Sequence, residues 1–125
     1  MATPSIETFT VEPHARSTAL VRHVLPASGT PYHHTCPLEA FEVVALAVED
    51  AGQNGFEVFG LAGELDLPFS QVATAIAFLR ERGIVERCNR GHTKRSYPLT
   101  DAAHLDAMAE YHALREKPAD PPPLA

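Results

Sequence analysis

Apolar side chains recur along this chain at two different spacings. Near the start, Thr8, Thr10 and Glu12 alternate with Phe9 and Val11, the period of a short strand. Ala15 to Leu25 places Leu20, Val21, Val24 and Leu25 on one helical face, although its valines would equally suit a strand. Both readings stand at that point. PASGTP at 26–31 is a loop. From Pro37 the period is helical: Pro37 suits a first turn, where its missing N–H costs nothing, and Leu38, Phe41, Ala45 and Val48 follow. Val43, Val44, Leu46 and Ala47 make this helix apolar on most sides, which predicts a position central to the core. Gly52, Asn54 and Gly55 end it, and Phe56 to Val58 suits a brief strand.

The stretch from Phe59 to Arg87 predicts helix, tight turn, helix and strand. Leu61, Ala62 and Leu65 line the buried face of the first helix. Asp66 stands at the turn, where Asp tolerates the left-handed conformation better than most residues. Pro68 starts the second helix, with Val72, Ala75, Ile76 and Leu79 inward, and Gly83 stops it. Ile84 and Val85 begin an extended segment, Arg90-Gly91-His92 turns, and Ser96 to Leu99 returns. Leu99-Thr100-Asp101 then caps a last helix, Asp101 to Arg115, with Leu105, Met108, Ala109, His112 and Leu114 as its stripe. The proline-rich 118–125 tail is expected to be disordered.

Composition narrows the class. A length of 125 residues argues for one domain, and 45% hydrophobic with 21% charged content describes an ordinary soluble protein. No apolar run approaches the roughly 20 residues that span a bilayer, and MATPSIETFT lacks the features of a signal peptide. A cytoplasmic protein without membrane partners is therefore expected. Cys36 and Cys88 belong to no CxxC pair, so reduced thiols are expected rather than a disulfide framework.

Charge changes the picture more. The net charge is −6, yet the distribution is uneven. Leu38 to Asp66 holds seven acids and no Lys or Arg. Arg80 to Arg95 holds six of the ten cationic side chains (Arg80, Arg82, Arg87, Arg90, Lys94 and Arg95) against Glu81 and Glu86. A basic hairpin in an acidic protein points to phosphate contact; its alternative role is to keep an edge strand from aggregating.

LAGELDLPFSQVATAIAFLRERGIVER, the basic hairpin after it, and YPLT with a helix together resemble the winged helix-turn-helix family, in particular MarR-like and PadR-like bacterial transcription regulators. The resemblance covers about two-thirds of the chain. It implies an α+β, mainly helical fold: an N-terminal extension over 1–36, a winged domain over 37–100 and a C-terminal helix over 101–117. It implies a homodimer on duplex DNA, with the second helix, 68–82, in the major groove and the wing, 87–95, on the backbone. By helical phase, Phe69, Ser70, Gln71, Ala73, Thr74 and Ala77 face outward. Gln71 would pair with adenine, Ser70 and Thr74 with several partners, and Ala73 or Phe69 with a thymine methyl. Arg87, Arg90, His92, Lys94 and Arg95 would hold phosphates. The alternative is a winged helix used as a protein-binding module, through the apolar Phe69, Ala73 and Ala77.

A third reading is a metal- or redox-responsive regulator. His33, His34 and Cys36, with Cys88 and His92, are ligand types that zinc favours, but their spacing is not a recognised finger. The reading adopted is a loop with incidental histidines, no metal and no cofactor. Cys88 beside Arg87 and Arg90 would have a lowered thiol pKa if it served as a switch; a packed hairpin cysteine is the simpler expectation. GxSxG, phosphate-loop and HExxH motifs are absent, and no enzymatic activity is expected.

Overall fold

Alternation decides the first third of the molecule. In a computed structural model describing residues 5–90 and 93–116, with the side chains at 89, 90 and 93 excluded, three antiparallel strands come first: β1 (Ile6–His14), β2 (Ser17–Leu25) and β3 (Tyr32–Pro37). β2 lies in the middle, with Leu20 opposite Val11 on one side and Cys36 on the other. The helical option for Ala15 to Leu25 is therefore overturned. Two partner strands satisfy its backbone, and its β-branched residues sit well on a pleated surface. His33 and His34, expected in a loop, belong to β3.

The chain continues as α1 (Leu38–Ala51), a 3-10 turn (Gly52–Asn54), α2 (Val58–Leu65), α3 (Phe69–Glu81), the hairpin β4 (Val85–Arg90) and β5 (Thr93–Pro98), and α4 (Ala103–Glu116). Among the described residues this is an α+β fold of four helices and two small antiparallel sheets. No described helix is long and apolar enough to cross a membrane. The proline-rich tail at 118–125 lies outside the described residues.

Two Schellman-type endings set the angles between the central elements. Asp66 adopts φ 54°, its N–H donates to the Gly63 carbonyl and that of Leu67 donates to the Ala62 carbonyl, so α2 stops and the chain turns into α3. At the far end Gly83, at φ 76°, donates to Arg80 and Ile84 donates to Leu79, which releases the chain into β4. Phe56 makes only a bridge to Ser96, with both backbone hydrogen bonds at 2.9 and 2.8 Å, so β5 has a short neighbour on each side. Gly55 is required there: it has φ 70°, and a Cβ would stand 2.6 Å from a Tyr97 ring carbon.

A row of aromatic rings joins the layers. Phe9 of β1 lies 5.4 Å from Phe78 of α3, Phe78 lies 5.9 Å from Phe41 of α1, and Phe41 lies 5.1 Å from Tyr111 of α4. The three-stranded sheet thus contributes Phe9, Leu20 and Cys36 to the same core as the helices. Tyr111 buries its ring and exchanges a 2.6 Å hydrogen bond with the Thr18 hydroxyl on β2, which fixes α4 to the sheet.

Two helix faces differ from expectation. α4 buries Ala103, Ala107, Tyr111 and Leu114, whereas Leu105, Ala109 and His112 are exposed and Met108 is half-buried. Small Ala103 and Ala107 sit on the inward face and the hydroxyl bond to Thr18 holds Tyr111 inward, so Leu105, Ala109 and His112 turn out. α1 is central but not apolar all round in its packing: Val43 and Leu46 stay exposed.

Candidate nucleic-acid interface

α3 has two partners rather than one, and this decides what it can present. Val72, Ala75, Ile76 and Leu79 face the other helices and the hairpin base, as their spacing predicts. Thr74 and Phe78, one turn apart, are also buried, and Phe78 meets Phe9 of the three-stranded sheet. At about 100° per residue, the sector left to solvent is only about 120° wide. Phe69, Ser70, Arg80 and Glu81 are exposed within it, and Ala73 and Ala77 are half-exposed.

Two of the expected base-reading residues do not belong to this strip. Thr74 is 1% exposed, and its hydroxyl donates 2.7 Å to the Ser70 carbonyl within the same helix. With its one donor committed and its side chain buried, it cannot reach a groove. Gln71 is half-buried and lies about 160° around the helix axis from Ala73. Phe69, Ser70, Ala73 and Ala77 stand where their phase puts them. Arg80, seven residues after Ala73, shares the strip; the sequence shows it only as part of the basic stretch, although the i, i+7 spacing places it on this face. Phe59 at the start of α2 was missed. It is 79% exposed, and its ring lies 6.0 Å from that of Phe69, itself 52% exposed.

The hairpin sorts its cations by alternation. Arg87 opposes Ser96 and Asn89 opposes Lys94, so Arg87 and Lys94 share one face, and both are exposed. Arg95, opposite Cys88, projects from the other face. Its guanidinium donates to the Asn54 carbonyl at 3.2 Å and the Gly55 carbonyl at 3.0 Å. Arg95 thus clamps the hairpin to the 3-10 turn, which corrects its assignment to phosphate. Arg82 is structural as well, lying 5.1 Å over the Phe78 ring and 3.8 Å from Glu110 of α4. Among the described residues no salt bridge takes Arg80, Arg87 or Lys94. The side chain of Arg90, and His92 altogether, lie outside the described residues.

The candidate metal ligands do not converge. His33 and His34 project to opposite faces of β3, because successive strand residues do. Cys36 is fully buried, and desolvation pushes its thiol up to about 12, which keeps it from becoming a thiolate ligand. Cys88 belongs to the other sheet. On the outer face of the first sheet, Glu12 and His23 approach to 3.2 Å, and a hydrogen bond from Thr10 holds the Glu12 carboxyl below its usual range. Among the described residues no group of three His, Cys, Asp or Glu could hold a metal ion.

No protein-family model, curated protein or solved structure matches the chain.

Proposed function

We propose that this chain is a winged helix-turn-helix transcription regulator that binds duplex DNA. In this reading the exposed strip of α3 enters the major groove, and Arg87 and Lys94 lie along the backbone. One observation carries it. Among the described residues, the cations Arg80, Arg87 and Lys94 are exposed in α3 and the hairpin after it, whereas α1 and α2 carry acids only. Such a distribution would draw a polyanion toward α3 and the hairpin and discourage it from approaching α1 and α2. The left-handed turn at Asp66 and the hairpin directly after α3 support the same reading, since they are the helix-turn-helix and wing that this architecture uses.

Dimerisation belongs to this proposal. The outward residues of α4, Leu105, Ala109 and His112, offer a surface for a second copy. Operator half-sites would then be spaced by about one helical turn of DNA, near 34 Å. The exposed Phe59–Phe69 pair favours a second reading, in which this surface docks on a protein.

The test is binding to random-sequence duplex by fluorescence anisotropy at several salt concentrations. Three phosphate contacts per chain predict a slope of log affinity against log salt of about −3 for a single bound chain and about −5 for a dimer. The double variant Arg87→Ala with Lys94→Ala should weaken binding to every sequence and flatten that slope by about 2 per bound chain. Unchanged affinity and slope in the double variant would remove the hairpin from the interface. No binding at low salt would favour the protein-docking reading.

A further inference from the structure

We propose that the α3 strip recognises the C5-methyl groups of thymine, so that the target is A·T-rich and is read in the major groove by apolar contact. This inference rests on the duplex-DNA reading above and names its substrate class. Packing removes the polar readers from the strip. Thr74 is buried and bonded to the Ser70 carbonyl, and half-buried Gln71 lies outside the strip, about 100° around the helix axis from Ser70 and about 160° from Ala73. What remains over the first two and a half turns is Phe69, Ser70, Ala73 and Ala77, three apolar side chains and one short hydroxyl. None of them can make the bidentate hydrogen bonds that identify guanine or adenine.

The apolar character is pronounced. Phe69 and Phe59 expose most of two phenyl rings side by side, 6.0 Å apart, at the end of α3 that leads into a groove. Soluble proteins rarely leave adjoining aromatic rings in water without a partner. Among the natural bases, only thymine offers an apolar group in the major groove, and Ala and Phe are the side chains that match it. The polar end of the strip fits as well. Arg80 stands two turns beyond Ala73 on the same strip, so a backbone contact there would leave the apolar section to the base edges. Ser70 adds an unselective hydrogen bond.

The experiment compares the full chain on four duplexes of equal length at low salt: an A·T-only duplex, the same duplex with deoxyuridine in place of thymidine, a G·C-only duplex of irregular sequence, and that G·C duplex with 5-methylcytosine. Deoxyuridine removes the methyl group and leaves phosphates, minor groove and hydrogen-bonding edges intact. Each methyl buried is worth about fourfold in affinity, so loss of two should weaken binding by about tenfold or more. 5-Methylcytosine should strengthen binding to the G·C duplex, because it places a methyl at the same ring position. Phe69→Ala should shrink the thymidine-to-deoxyuridine ratio without altering the salt slope. Equal affinity for the thymidine and deoxyuridine duplexes, with binding otherwise intact, would overturn the methyl inference and leave DNA binding standing. Absence of binding to all four would overturn the DNA reading itself.

Discussion

Cys36 and Thr74 show how far burial alone can redirect a residue. Both carry reactive or hydrogen-bonding groups, and both are closed off, Thr74 by an internal bond and Cys36 by desolvation. The Cys36 thiol also links stability to pH. Its folded value of about 12 lies above the ordinary 9.0. A raised value means that the neutral thiol's contribution is whole below pH 9 and is lost as pH climbs through the window up to 12. Three pH units correspond to about 4 kcal/mol. Urea unfolding across this alkaline range should therefore show a steep decline in stability that is shallower in Cys36→Ala. Some decline should remain, because burial also raises the Tyr111 phenol. An identical pH profile in Cys36→Ala would contradict the assignment.

At the scale of elements, the hairpin divides its cations between structure and surface. Arg95→Ala removes two charge-assisted bonds that hold β5 to the Asn54 and Gly55 carbonyls, and should cost about 1–2 kcal/mol of folding stability. The Arg87→Ala and Lys94→Ala changes, at exposed positions, should stay within about 0.5 kcal/mol by the same denaturant measurement. A reversed pattern would mean that the face assignment is wrong. The elements were legible in the sequence to different degrees. α1, α2, α3, the Asp66 turn and the Gly83 stop follow from local period and turn chemistry. β2 did not, because a strand is settled by partners on both sides. The face of α4 did not either: spacing gives a stripe, but not the direction from which other elements approach. Thr74 and Gln71 failed for that same reason. The charge of Arg95 was visible, whereas the carbonyls that bind it were not.

Across the whole molecule, the first sheet is part of the main core. Phe9 reaches Phe78, and Thr18 bonds to Tyr111. A chain beginning at Pro37 would expose Phe78, Thr74 and one side of Tyr111 to water. Removing contacts of that size costs several kcal/mol against a total stability of about 5–15 kcal/mol. Such a truncated chain should lose its cooperative thermal transition by circular dichroism; a sharp melt would mean that the sheet is an appendage.

The clamping of α3 from two sides also bears on how the molecule could change its target. A helix wedged between a sheet and a bundle has no slack to roll or slide toward a new ligand. Adaptation has to pass through the few positions facing outward: Phe69, Ser70, Ala73, Ala77, Arg80 and Glu81. These six act as an exchangeable key on a fixed shank, open to variation with little effect on folding, while their neighbours one step around the helix are held by the core.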